Sequence, residues 1–284
     1  MIMHTMKATK ECYPCLERLV RQAADLATQD TELKNKAIDE GLKLLKAEFS
    51  VYKPTIPVAT LLHRRVRTIT GNPDPYLQIK EAEMRMGEEF YRKWNANLEV
   101  SLRDCLILAV RGNSLDFFKD LETVRYDLTL PVEFTVNDIK ALQIKLNKTK
   151  QILFLADNAG EVFFDIPLVR KLADFAPITY VVKHSPVQND ITLADLDRFG
   201  LTKDLPQVIT TGTDTPGVDM AQASTEFKAA FKAADLVIAK GMGYWETLSE
   251  LPAEGKVFYL LKAKCQPVAD SLSVALNSYV AMLR

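Results

Sequence analysis

The segment Ile152-Leu153-Phe154-Leu155-Ala156-Asp157-Asn158-Ala159-Gly160-Glu161 decides how the chain is read. Five apolar residues run unbroken and stop at an acid, an amide and a glycine. An apolar run without alternation is a strand buried on both faces, as in a parallel sheet covered by helices on either side. Downstream, Val162, Ile166, Val169, Leu172 and Phe175 recur at helical spacing. Asp157 and Asn158 therefore stand between a strand's end and a helix's start, the edge at which open α/β sheets bind ligands. Two oxygen-bearing side chains there, beside a glycine that permits a tight turn, suit a hard cation. The same residues would serve equally as a helix cap, so the rest of the chain must decide.

Four more short apolar runs follow the first, at residues 178–183, 207–210, 236–239 and 256–261. Helical patterns lie between most of them, notably over 221–233, and another is expected over 268–282. Alternation of this kind predicts a mostly parallel sheet with right-handed crossovers. Residues 10 to about 125 read differently, as almost entirely helical, with stripes such as Leu16, Leu19, Val20, Ala23, Ala24 and Leu26. Thr135 is expected to cap a helix carrying Ile139, Leu142 and Leu146. The fold class is therefore α/β: a Rossmann-like, mostly parallel sheet with an N-terminal helical bundle. The expected division is a helical part over 1–125, a connecting segment over 126–150 and a Rossmann-like part over 151–284.

In a parallel sheet the strand ends gather on one side, so the residues after each strand predict a spatial cluster. These are Asp157, Asn158 and Glu161; Lys183, His184, Asn189 and Asp190; Thr211 to Asp214; Lys240-Gly241-Met242-Gly243; and Lys262, Lys264 and Cys265. Asp157, Asn158 and Asp190 offer oxygen ligands to a divalent cation such as Mg²⁺ or Mn²⁺. Lys264 or Lys240, with backbone N–H groups of the glycine turns, offers a grip for an anion such as phosphate. A metal and a phosphate grip at one edge suggest phosphoryl chemistry.

Composition removes other classes. The chain has 284 residues, 48% of them hydrophobic, and a net charge of −1, which supplies no long-range field for nucleic acid. The one compact basic run, His63-Arg64-Arg65-Val66-Arg67, reads as a solvated helix face. No apolar run approaches the roughly 20 residues of a membrane helix, and Met1 to Lys10 has no apolar signal-peptide core. The expected location is cytoplasmic, with no nucleic-acid or membrane partner. Cys12-Tyr13-Pro14-Cys15 is a CxxC that would suit zinc, an iron–sulfur centre or redox work. Its only recruits for a metal site are Cys105, Cys265 and His4, so two reduced thiols near a helix start are the favoured reading. Gly241-Met242-Gly243 lacks the third glycine of a dinucleotide fingerprint, and no Walker A or nucleophile-elbow motif is present. His184 has no visible partner for general-base work.

With these residues assembled, the sequence resembles the damage-control phosphatases, a family first catalogued as a domain of unknown function (DUF89). The resemblance rests on Cys12-Tyr13-Pro14-Cys15, Gly112-Asn113, Asp157-Asn158-Ala159-Gly160-Glu161, Asn189-Asp190-Ile191-Thr192, Lys240-Gly241-Met242-Gly243-Tyr244 and Lys262-Ala263-Lys264-Cys265, and spans nearly the whole chain. The N-terminal CxxC is similar to that of the smaller prokaryotic branch. The resemblance implies a divalent metal, Mg²⁺, Mn²⁺, Co²⁺ or Ni²⁺, held by Asp157, Asn158 and Asp190. It implies hydrolysis of phosphate esters of small metabolites, such as sugar phosphates or phosphorylated cofactor intermediates, with Lys264 at the substrate phosphate. Asp157, Asp190 and Lys264 are then the catalytic set. Asn113 and Glu161 are carried over as residues lining the pocket, and with Lys240 and Gly241 of the anion grip they make up the expected substrate-binding set. Met242 and Tyr244 depart from the family's usual glutamine and asparagine. Two alternatives stand behind this reading: a methyltransferase using S-adenosylmethionine, and a non-catalytic nucleotide- or metal-binding protein. Neither uses Asp157, Asn158 and Asp190 so directly.

Overall fold

A computed structural model describes residues 6–94, 101–249, 251–252 and 254–284. His4 lies outside them. The helical part comprises α1 (Cys12–Ala27), α2 (Thr31–Glu48), α3 (Thr55–Thr70), α4 (Leu77–Trp94), α5 (Leu102–Gly112) and α6 (Leu121–Asp127). Helices α1 to α3 close small apolar cores of their own, around Leu16, Val20, Leu45 and Leu62 in one and Ala24, Ala37, Val66 and Tyr76 in the other. Helix α5 begins at a capping box in which Ser101 and Asp104 satisfy each other's backbone N–H groups.

The remainder alternates: β1 (Phe134–Asn137), α7 (Ile139–Leu146), β2 (Ile152–Leu155), α8 (Val162–Ala173), β3 (Ile178–Val182), α9 (Leu193–Arg198), β4 (Gln207–Thr210), α10 (Thr225–Ala233), β5 (Leu236–Lys240), α11 (Gly241–Leu248), β6 (Val257–Lys262), α12 (Gln266–Leu272) and β7 (Tyr279–Leu283). The seven strands form one sheet in the order β1-β7-β6-β5-β2-β3-β4, parallel except for the β6–β7 pair. Both faces are covered, as the unbroken apolar runs require. Phe154, Tyr180, Ile238 and Phe258 point to a core shared with α5 and α8, through Leu106, Val110, Ile166 and Val169. Leu155, Val181, Val237 and Tyr259 point to the opposite core, with Phe227, Trp245, Leu248 and Val268.

Two local expectations are corrected. Thr135 lies in β1, and the following helix has Asp138 at its N-cap. The expected helix over 268–282 stops at Leu272, where Ser273 turns left-handed at φ 57°, and the chain returns as β7, antiparallel to β6. No helix among the described residues is long and apolar enough to cross a membrane.

The strand order places β2 between β3 and β5. The chain winds from β2 out to β4, then restarts on the other side of β2 with β5. That reversal opens a crevice at the C-terminal ends of β2 and β5, where Asp157 and Gly241 follow their strands.

Candidate active site

The loop after β2 and the loop after β3 are stitched together through their backbones. Ala159 N–H donates to the Asn189 carbonyl at 2.8 Å, and Ile191 N–H donates to the Asp157 carbonyl at 2.9 Å. Asn158 and Asp190 face each other in an isolated antiparallel bridge. Main-chain geometry thus gathers Asp157, Asn158 and Asp190, and the three residues are only 9%, 6% and 3% exposed. Asp157 Oδ2 accepts hydrogen bonds from Asn113 Nδ2 at 2.9 Å and Asn158 Nδ2 at 3.4 Å. Asn158 Nδ2 also donates to Glu161 Oε1 at 2.5 Å. Gly241, at φ 77°, lies over this carboxylate so closely that a Cβ would overlap it. The left-handed turn and the close approach both require glycine there.

Burial and like charge act on these acids together. Burial, then Glu161 and Asp190, push the Asp157 carboxyl well above the usual carboxylate range. Burial pushes Asp190 up to about 6, against the pull of Lys183. The Lys183 ammonium lies 3.4 Å from Asp190 Oδ2, yet no hydrogen bond closes on that buried oxygen. Lys183 is itself buried, with Tyr244 Oη at 3.1 Å and the Gly217 carbonyl as acceptors. Tyr244, one of the two departures from the family pattern, therefore anchors the cation beside Asp190. The other departure, Met242, accepts Lys264 N–H on its sulfur at 3.2 Å.

The donor set fits a hard divalent cation. Asp190 Oδ2 is an orphaned buried oxygen. Asn158 spends its amide nitrogen on carboxylates and leaves its carbonyl oxygen free of donors among the described residues. No three His, Cys, Asp or Glu side chains form a metal cage among the described residues. Two carboxylates and one amide oxygen leave the other positions to water and substrate oxygens, the pattern Mg²⁺ favours.

Asp157, Asn158, Asp190 and Lys264 line a cavity of about 310 Å³ between the sheet edge and the helical part. Lys264 Nζ donates to the Leu115 carbonyl at 2.7 Å. Asn113, Glu161, Lys240 and Gly241 lie behind this wall rather than on it. Lys240 is fully buried and donates to Glu161 Oε2 and Asp165 Oδ1, both at 2.6 Å. Burial alone would lower its pKa, but Asp165 and Glu161 outweigh that and raise it. Lys240 thus neutralises the acids beneath the floor, and Lys264 is the lysine on the cavity side.

Several contributors escape sequence reasoning. Asp165 is a lone acid inside the apolar face of α8, a signal that a buried cation must meet it. Glu83 of α4 accepts both of its hydrogen bonds from Asn189 Nδ2, at 3.0 and 2.8 Å, and so fixes the residue before Asp190. Cys12, Cys15 and Cys265 meet at the cavity wall, whereas Cys105 is buried elsewhere against the Pro167 carbonyl. His184 is exposed beside Thr210 and does not line the cavity.

Comparison with known proteins agrees with the motifs. The damage-control phosphatase ARMT1-like domain model matches residues 8–280. A damage-control phosphatase of Pyrococcus horikoshii is 34% identical over 288 residues, covering 98% of this chain and 98% of the relative. A damage-control phosphatase of Archaeoglobus fulgidus is 31% identical over 287 residues, covering 97% of this chain and 99% of the relative. The crystal structure of a DUF89 family protein from Pyrococcus horikoshii matches with a TM-score of 0.88 at 33% identity, covering 98% of this chain and 99% of that one. The chain belongs to the damage-control phosphatase family.

Proposed function

We propose that the protein is a divalent-metal-dependent phosphatase acting on phosphate esters of small metabolites. The observation that carries the reading is the set of Asp157, Asn158, Asp190 and Lys264 on one wall of one cavity. Asp157, Asn158 and Asp190 hold the cation, Asp190 through the buried Oδ2 that has no hydrogen bond and Asn158 through its amide oxygen. When bound, the cation offsets charge on the phosphate oxygens as the ester bond breaks. Lys264 supplies a second positive charge to the phosphate. Lys183, fixed by Tyr244 and the Gly217 carbonyl, keeps Asp190 oriented without joining the cavity wall. The apolar side chains Leu16, Leu19, Ile56 and Phe117 also line the cavity and limit water around the reacting group. Sugar phosphates and phosphorylated cofactor intermediates are the substrate classes this reading covers.

The experiment is phosphate release from a panel of such esters after chelation, with Mg²⁺, Mn²⁺, Co²⁺ or Ni²⁺ restored singly. Release restored by a metal and lost in Asp190→Ala supports the reading. Folded protein that releases phosphate equally well with chelator present would overturn it.

A further inference from the structure

Lys264 is not the only cation on the cavity wall. Arg18 of α1 lines it as well, and its guanidinium carbon lies 3.8 Å from the centroid of the Phe118 ring. A planar guanidinium stacked on a ring is held in orientation while its N–H groups stay available. No carboxylate pairs with Arg18 among the described residues, and its polar neighbour on α1 is the Cys15 thiol. Two acids share this wall. Asp116 has Oδ1 committed to the Phe118 N–H at 3.0 Å, and Glu11 is exposed.

The two cations are mounted on one short loop. Lys264 Nζ is tied to the Leu115 carbonyl at 2.7 Å, and Arg18 is stacked on Phe118. Gln22 Nε2 clamps the Phe117 carbonyl at 2.6 Å and joins the loop to α1. Successive Cα atoms are 3.80 Å apart, so the Cα atoms of Leu115 and Phe118 lie within about 11 Å of each other. Both cationic heads thus contact the same short loop, and apolar Leu19 and Phe117 line the same cavity.

We infer that Arg18 is a specificity-determining residue that reads a second anionic group, a carboxylate or a second phosphate, at the end of the substrate remote from the phosphate held at Lys264. This rests on the phosphatase reading for its substrate class, but the anion site itself can be tested without turnover. The preferred esters then carry a charge at each end with a short apolar or lightly substituted body between them.

The test is calorimetric binding of non-hydrolysable probes in Mg²⁺. The probes are alkylphosphonates, ω-carboxyalkylphosphonates and α,ω-bisphosphonates of matched, increasing chain length. The wild type should bind at least one doubly anionic probe about tenfold or more tightly than the matched alkylphosphonate. Arg18→Ala should reduce that preference to less than about twofold, and Arg18→Lys should keep part of it. The better of the two doubly anionic series identifies the second group as carboxylate or phosphate. A preference that survives in Arg18→Ala, or no preference in the wild type, overturns the inference. An Arg18-dependent preference in a protein that releases phosphate from no ester would sink the phosphatase reading and leave the anion site standing.

Discussion

Asn113 spans two carboxylates with one amide: Nδ2 donates to Asp157 Oδ2 at 2.9 Å and to Glu161 Oε1 at 2.8 Å, while Oδ1 accepts Lys262 N–H at 2.9 Å. One side chain at the end of α5 therefore ties the proposed metal ligand to the end of β6. Asn113→Ala should weaken Mn²⁺ binding about 10–100-fold by freeing Asp157. It should also cost about 1–3 kcal/mol of stability, because Lys262 N–H loses its acceptor in a buried site. Calorimetric titration with Mn²⁺ and urea unfolding of the same variant read the two effects separately.

Lys240 lies between Glu161 and Asp165 with no exposure of any of the three side chains. Removing it strands two buried acids, so Lys240→Met should destabilise the protein by about 3–5 kcal/mol. Adding Asp165→Asn should recover part of that loss. If Lys240 instead gripped substrate phosphate, the single variant would lose affinity for inorganic phosphate at nearly unchanged stability. Urea midpoints of the two variants decide between these roles.

Asp214, in the loop after β4, receives Arg64 and Arg67 of α3, and Arg67 also reaches the Pro186 carbonyl at 2.6 Å. Burial alone would raise the Asp214 pKa, but hydrogen bonds from the two arginines override it and bring the carboxyl down to about 2. A folded pKa below the unfolded value of about 3.9 adds stability that is complete above that pH and is lost as pH falls toward the folded value. Asp214→Asn should lower stability at neutral pH by about 1–3 kcal/mol. It should also flatten the decline of stability between about pH 4 and 2 relative to wild type.

Glu83 has the opposite sign. Burial pushes its carboxyl up to about 8, despite the Asn189 hydrogen bonds. The folded state then holds a proton that the unfolded chain, with a pKa near about 4.3, releases. The contribution of Glu83 is most favourable below that value, declines as pH rises and levels off above the folded pKa. Glu83→Gln should remove this decline. Its new amide N–H has a waiting acceptor in the buried Asn189 Oδ1, which has no hydrogen bond. Melting at pH 8 should rise by about 2 °C or more relative to wild type, whereas a lower melting temperature there would sink the assignment.

How much could be read beforehand differed by the range of the interaction. Strands β2, β3, β5 and β6 were legible because burial on both faces leaves uninterrupted apolar runs, as at Ile152–Leu155 and Val257–Lys262. Edge strand β1 alternates half-buried and exposed residues over only four positions, too short to separate from a helix start. The turn into β7 uses Ser273 and Asn277 in left-handed conformation where glycine would have announced it. In the candidate site, Asp157, Asn158 and Asp190 were visible because each follows a strand. The roles of Asn113 and Lys240 depend on partners far along the chain, Lys262 and Asp165, that no local pattern links to them. From sequence Lys240 and Lys264 look alike; only packing separates the buried counter-ion from the lysine facing the cavity.

The position of β7 has a consequence for synthesis. β1 pairs with β7, and β7 pairs with β6, so the last strand is the wedge between the first strand and the rest of the sheet. As the chain leaves the ribosome, β2 to β6 can assemble in succession, but β1 has no edge to join until residues 279–283 emerge. Until then β1 and the edge of β6 both present unpaired backbone, a state prone to mispairing with other chains. A chain truncated just before Tyr279 should therefore be held by chaperones and cut readily by protease near β1, and restoring residues 279–283 should end both.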